Sequence, residues 1–371
     1  MRSSEAINND LGRAMLLIRS GRANSRSGIA ELLGISPATA GDHVSRLIDH
    51  GYLRETGLEK IRQGRPKRTL ALHADAGWFA GVEFYESRVR AVRLDFSGAV
   101  VETHLRKLPP RVTTQTILRE VSAAIKRMAD DAAGPLMAIG VGAAGIVDPE
   151  RGIGVECTAI PDWRDVPVVA ELRGQFDVPV TLDNHLRAFA YAERWFGGGR
   201  HLDDYVILGP MSGFGVAIVS AGRVLSGVHH AAGEIGLWPR GRKQLQDVLS
   251  PLAVWRRLAA VASDRERPAN LRQSLVEAAT CHPRRLVAVV DEFANIIGRL
   301  HLLLDTEAYF LHGPLTALGA AFCTHISDRA RRLAPALGRH PPSIIPSTLG
   351  DDAGAIGAGC KAMEEWTPAA C

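Results

Sequence analysis

No run of this chain approaches 18 consecutive apolar residues, and its N-terminus lacks the charged, apolar, small-residue order of a secretory leader. Neither a membrane span nor an export signal is expected. Cysteine is scarce. Cys157, Cys281, Cys323, Cys360 and Cys371 are scattered, odd in number, and form no C-x-x-C pair. That argues against a disulfide framework or a zinc knuckle and points to a reducing, cytoplasmic compartment. Beyond residue 76 there is no surplus of charge, since that part carries 32 Lys/Arg and 32 Asp/Glu. The first 76 residues hold 12 Lys/Arg against 8 Asp/Glu, so the whole net charge of +4 lies there. A basic segment beside a neutral body suggests a polyanion-binding head on a carrier with another task, although a solvated surface would look the same.

What the chain does have is ordinary core material. It is 46% hydrophobic and 23% charged over 371 residues, enough for two or three globular domains. In the head, Leu11, Met15 and Ile18 recur at helical spacing. A second helix starts at Ser25, with Ile29, Leu32 and Leu33 expected to face inward, and Gly34 breaks it. Ser36 is a good N-cap and Pro37 suits the first helical position. The third helix is expected to run to about His50, with Ala40, Val44, Leu47 and Ile48 inward and Gly51 as its stop.

Helix, short glycine turn and capped helix is a helix-turn-helix pattern. Ser36 at its start, and Ala38, Thr39, Asp42, Ser45 and Arg46 away from the apolar stripe, are the candidates to reach a major groove. Arg46 suits guanine. Asp42 is either an acceptor for cytosine or simply an exposed acid. Two short strands are expected near Tyr52–Thr56 and Thr69–Leu72. The basic run between them, Lys60, Arg62, Arg65, Lys67 and Arg68, reads as a wing. Its "GRP" at Gly64–Pro66 offers Arg65 to a minor groove. The alternative is a three-helix module used for protein contact.

From Trp78 the pattern becomes strand, turn, strand, turn, strand. An amphipathic helix follows over 113–133, then a buried strand over Leu136–Val141, and the alternation continues in an α/β body. "GVGAAG" at Gly140–Gly145 matches a dinucleotide fingerprint in letters only. Ile146-Val147-Asp148-Pro149 continues as extended chain where that motif needs a helix. Ser212-Gly213-Phe214-Gly215 reads as a hairpin turn that is either a phosphate approach or only a turn.

The order and spacing of "GVEFYESRVRAVRLD", "GVGAAGIVDPERG", "PDWRDVPV", "DNHLRAFAYAERWFGGGR", "GVHHAAGEIG" and "LGDDAGAIGAG" resemble the ROK family of repressors and sugar kinases. The head and its "GRP" resemble the NagC/XylR-type regulators of that family. The resemblance implies an N-terminal winged helix-turn-helix over 1–76. It also implies an actin-like, ribonuclease-H-like ROK domain over 77–371. The small lobe would span about 77–184 with 349–371 and the large lobe about 185–348, around a sugar cleft, in a homodimer. Asn184, His185, His229 and Glu234 fall on the family's sugar-contact positions; amides and carboxylates suit neighbouring hydroxyls.

Departures from the family pattern carry functional information. Where the kinases have Asp-x-Gly-Gly-Thr for the ATP phosphates, this chain has Glu83, Tyr85, Glu86 and Ser87. Tyr85 would fill the approach and Glu86 would oppose phosphate charge. Met211 replaces a glycine of the second phosphate turn. The catalytic Asp is replaced by His185, and losing a general base costs about 10²–10⁴-fold. A His can still act as a base near neutrality, or it can fill the cleft and bond Asp183. Leu237, Ala159, Gln244 and Gln246 stand where the family has a zinc-and-sugar His, a sugar-loop Asn and its cysteine motif. No zinc, no ATP and no metal at His229 and His230 are therefore expected.

The leading expectation is a cytoplasmic repressor of carbohydrate genes that binds duplex operator DNA, senses a sugar, has no catalytic residue and does not act at a membrane. The alternatives are a sugar kinase with a DNA-binding head, and a regulator governed by a protein partner without a small ligand.

Overall fold

A computed structural model describes residues 4–59, 67–262, 266–333 and 340–368. Leu11, Met15 and Ile18 are all buried along α1 (Ser4–Arg19). The Ser25 hydroxyl accepts the Gly28 N–H and opens α2 (Arg26–Leu33), which Gly34 closes at φ 65°. That left-handed geometry costs glycine nothing. Ser36 accepts the Thr39 N–H at 3.1 Å and starts α3 (Pro37–Asp49). Ala40, Val44 and Leu47 are buried beneath it. Leu32 departs from expectation, at 43% exposed. The eight-residue α2 buries Ile29 and Ala30, and Leu32 projects off the side of that arc.

The expected pair of strands is β1 (Leu53–Glu59) and β2 (Lys67–Leu72), paired antiparallel. Tyr52 lies just outside β1; its N–H bonds the Leu47 carbonyl and its own carbonyl takes the His73 N–H.

The body begins with β3 (Trp78–Tyr85), β4 (Arg88–Asp95) and β5 (Val100–Lys107), a meander that reads directly from the alternation. Thr113 caps α4 (Thr114–Ala129), which buries Ile117, Val121 and Ile125. Next come β6 (Leu136–Ala143) and a small antiparallel sheet of β7 (Ile146–Asp148), β8 (Ile153–Glu156) and β9 (Arg164–Val166). Residues 140–145 therefore lead from one strand into another, with no helix to receive a dinucleotide phosphate. α5 (Val168–Phe176) and β10 (Val180–Asn184) complete this half. Its sheet order is β10-β6-β3-β4-β5; the β10–β6 and β6–β3 pairs are parallel, and the β3–β4 and β4–β5 pairs are antiparallel.

After α6 (His185–Phe196), the chain builds β11 (Tyr205–Pro210), β12 (Phe214–Ser220) and β13 (Arg223–Val224). A hairpin follows, β14 (Pro239–Arg240) with β15 (Lys243–Gln244). Then come α7 (Gln246–Leu249), α8 (Pro251–Ala259), α9 (Leu271–Cys281), α10 (Pro283–Leu304), β16 (Ala308–Leu311), α11 (Gly319–Leu333) and β17 (Ile344–Pro346). This sheet runs β13-β12-β11-β16-β17. Its directions repeat those of the first: an antiparallel meander on one side, two parallel strands on the other. Phe214, Phe293, Tyr309 and Phe322 centre its core.

The last helix, α12 (Ala353–Glu365), returns to the first sheet. Residues 1–185 with 354–371 form one compact unit and residues 186–353 a second. Gly81 of β3 and Gly140 of β6 admit α12 at backbone contact, because a Cβ on either would run into the carbonyls of Ala355 and Ala358. In the same unit the head is held by aromatic packing. Tyr52 stacks on Phe96 at 5.1 Å, and Trp366 meets both edge-on at 5.4 and 5.5 Å. The Arg19 guanidinium lies 5.3 Å from the Phe96 ring centroid and donates to the Phe96 carbonyl at 2.8 Å. Burial lowers its pKa to about 10.

Candidate DNA-reading face and effector residues

The turn from α2 to α3 is three residues, Gly34 to Ser36, and both helix ends that meet there are capped from the chain itself. The caps fix where α3 begins and hence which residues lie outward. Ser36, Ala38, Asp42 and Ser45 are exposed, and Thr39 and Arg46 are half-buried. Thr39 is also tied to the Ser36 hydroxyl at 2.8 Å. Beneath the helix, His43 is 4% exposed beside Asp10 of α1, with 3.9 Å between ring nitrogen and carboxylate. Composition gave no sign of this pairing, since neither residue belongs to the apolar stripe.

Of the candidates in the basic run, Arg62 and Arg65 lie outside the described residues, as does Lys60. Lys67 opens β2. Arg68 pairs with Glu55 across the hairpin, and Arg26 of α2 reaches the same carboxylate at 2.8 Å. These two cations hold the Glu55 carboxyl below its usual range.

Asn184 and His185 stand at the end of β10 and the start of α6. The Asn184 amide donates to the Gly145 carbonyl at 2.8 Å, and its backbone N–H to Asp183 at 2.8 Å. His185 Nδ1 is 3.3 Å from the Ala143 carbonyl, and its ring lies edge-on to Tyr85 at 5.1 Å. The other carboxylate oxygen of Asp183 takes Lys361 Nζ at 2.6 Å.

Tyr85 is 3% exposed at the end of β3, and Glu83 on the same strand is 1% exposed. The Tyr85 hydroxyl donates to Glu83 Oε1 at 2.8 Å. Burial, followed by the nearby Glu83 charge, pushes the phenol pKa far up, so this hydroxyl stays a donor. Gly354 backs against the Glu83 carboxylate with no room for a Cβ. Arg88 lies 4.4 Å over the Tyr85 ring. Glu86, in the turn that follows, is half-buried.

In the second unit, His229 and Glu234 lie on the loop between β13 and β14. His229 is exposed; the Glu234 carboxyl is half-buried. Burial pushes the Glu234 pKa up, and the Arg187 charge pulls partly against it. Arg187, 3% exposed in the first turn of α6, donates to the His230 carbonyl at 3.2 Å. Arg187 is not among the residues singled out from the sequence, although it stands two residues after His185 in the same motif. Across the Ser212–Gly213 turn, a Cβ on Gly213 would lie 2.9 Å from the Gln246 amide oxygen. Gln246 in turn donates to Gln244 at 2.7 Å. Ala159 and Leu237 are both exposed.

Three comparisons bear on these residues. The model of the ROK family matches residues 80–364. The chain is 25% identical over 215 residues to the xylose repressor of Bacillus subtilis (strain 168), covering 57% of this chain and 55% of the relative. It thus spans about half the length of the curated repressors it matches. Among solved structures, a ROK family transcriptional regulator, homologue of the E. coli MLC protein, superposes with a TM-score of 0.80 at 20% identity, covering 97% of each chain. A ROK family glucokinase from Streptomyces griseus, in complex with glucose and AMPPNP, superposes at 0.66 and 23% identity, over 77% of this chain and 99% of that one. Both superpositions identify the actin-like fold. Among the described residues, no helix is long and apolar enough to cross a membrane.

Proposed function

The chain belongs to the ROK family, and from that premise we propose that it is a DNA-binding regulator, a repressor of carbohydrate genes, whose affinity for operator duplex is set by a sugar or sugar derivative. The observation that carries this reading is α3. It is a capped helix behind a three-residue turn, with Ala38, Asp42 and Ser45 exposed to solvent. Arg46 and the β1–β2 hairpin complete a winged helix-turn-helix on this reading, with α3 in the major groove. A two-fold dimer would present two such helices to a pseudo-palindromic site.

We propose Asn184, His185, His229 and Glu234 as the residues that contact the effector. The family's repressors and kinases both support a sugar as the ligand class. Kinase chemistry is not proposed. The buried Tyr85–Glu83 pair supports this, since on the family resemblance it stands where the kinases carry phosphate-binding glycines. The Gln246 amide oxygen lies 2.9 Å from where a Cβ on Gly213 would stand. A half-buried acid at Glu86 repels phosphate charge.

The test is Glu234→Ala in the full chain, with duplex affinity measured against a monosaccharide panel. The variant should keep wild-type duplex affinity and lose the sugar response; an unchanged response removes Glu234 from the effector site.

A further inference from the structure

Strand β10 delivers Asn184 and His185, and one residue earlier it carries Asp183, whose carboxylate faces the other way. Asp183 Oδ1 accepts the Asn184 backbone N–H, and Oδ2 accepts Lys361 Nζ at 2.6 Å. Both side chains are nearly closed to solvent, at 7% and 11% exposure. A buried ion pair of this kind is held by geometry and is sensitive to loss of either partner. The same ammonium has a second acceptor one turn along α12, Glu365 Oε1, at 3.7 Å. Lys361 also borders an open hollow of about 490 Å³, lined further by Glu365, Trp366, Thr181 and Arg173. The Lys361 ammonium therefore lies between two carboxylates, bonded to Asp183 and within ion-pair reach of Glu365 at the edge of the hollow.

The next residue after α12 is Trp366. Its ring sits edge-on to Tyr52 at 5.4 Å, 82° between planes, and to Phe96 at 5.5 Å. Tyr52 is bonded through its backbone N–H to Leu47 in the last turn of α3. Thr367 packs against Gly12 of α1. The body of α12 is seated at backbone contact on Gly81 and Gly140, so only its last turn is free of that constraint. Close packing passes a shift on rather than absorbing it.

We propose that Lys361 is a positioning residue that couples effector occupancy at Asn184 and His185 to the DNA-reading helix α3, by exchanging Asp183 for Glu365 and thereby moving Trp366 against Tyr52. The inference rests on the assignment of Asn184 and His185 to the effector site. It adds what that reading lacks, a physical element with two arrangements between ligand and DNA. An effector that draws on Asn184 pulls on the peptide whose N–H holds Asp183. Weakening of the Asp183–Lys361 pair releases the last turn of α12. Trp366 then shifts against Tyr52, whose backbone N–H bonds Leu47 in the last turn of α3.

The experiment perturbs one end, reads the other, and cuts between them. Amide hydrogen exchange is followed in full-length protein for residues 47–52. Asn184→Ala should speed exchange there by about five-fold or more, the lower range of ordinary site-to-site coupling. Lys361→Met should speed it by a similar factor on its own, and Asn184→Ala added to Lys361→Met should add nothing. If Lys361→Met fails to fold, Asp183→Asn/Lys361→Met removes both charges and serves as the cut background. Equal effects of Asn184→Ala with and without Lys361, or no effect in either, overturn the proposal. Duplex binding of wild-type protein is read separately by fluorescence anisotropy. Binding with no Lys361 dependence of exchange sinks only this inference, whereas exchange coupling in a protein without duplex affinity sinks the regulator reading.

Discussion

Tyr85 and Glu83 sit two residues apart on one strand, yet their side chains meet, the phenol hydroxyl donating to the buried carboxylate at 2.8 Å. Alternation along a strand places i and i+2 on the same face. The pair is buried, with Tyr85 3% and Glu83 1% exposed, and on the proposed reading it fills the kinases' nucleotide cradle. Tyr85→Phe removes one donor from a buried acid. It is expected to cost about 1–3 kcal/mol of stability, measured by urea denaturation, without creating any sugar-dependent release of ADP from ATP. Turnover of ATP by Tyr85→Phe, or by the wild type, would contradict the filled-cradle account.

The second unit carries its own acid-sensitive pair. Glu193 is 1% exposed and lies 2.9 Å from His312, with Ser347 and the Gly198 N–H as further donors. Burial drives its carboxyl up, but these partners together outweigh burial and hold it below the ordinary 4.5. A depressed folded-state pKa contributes stability above the unfolded value and loses it as pH falls through the folded one. Glu193→Gln should therefore be less stable than wild type at pH 7, and the gap should close as pH drops below about 4.5. A gap that stays constant down to pH 3 would exclude this linkage. Denaturation midpoints across that range decide it.

Gly81→Ala introduces a methyl group against the Ala355 carbonyl. Overpacking of this kind costs about 1–3 kcal/mol. Because α12 leads to Trp366, thermal unfolding should fall together with exchange protection around Tyr52. Retention of full protection there would mean that α12 does not brace the head.

Ser36→Ala deletes the cap of α3 and should destabilise the head by about 1 kcal/mol. Since the cap fixes the start of the exposed face, duplex affinity should drop as well. Arg46→Ala should weaken affinity with a smaller effect on stability. Anisotropy titrations at two salt concentrations separate the two, because loss of a phosphate contact flattens the salt dependence and loss of a base contact does not.

Local chemistry explains what was legible in the chain. Ser25, Gly34, Ser36 and Pro37 mark helix ends by side-chain and backbone preferences that act within four residues, and Ala40, Val44 and Leu47 mark the buried stripe by spacing alone. The β3–β4–β5 meander and the false dinucleotide motif at Gly140–Gly145 were readable for the same reason. Leu32 was misplaced because α2 is too short to bury a full apolar arc. Lys361 and Asp183 are 178 residues apart in sequence, and nothing local to either signals their pairing. Arg19 looks like an ordinary basic residue at a helix end; only Phe79 and Phe96, more than 50 residues later, make it a buried clamp. Gly81 and Gly140 lie in strand-forming runs, and the helix that requires them is at the far end of the chain.

Duplex affinity with and without sugar bears most directly on the whole account. Duplexes selected from a random pool by the full-length protein would be titrated by fluorescence anisotropy against a panel of monosaccharides, at fixed salt. The account predicts a pseudo-palindromic consensus, binding that weakens as salt rises, and release by at least one sugar. Absence of any selected consensus, or selected binding indifferent to every sugar in the panel, would contradict it.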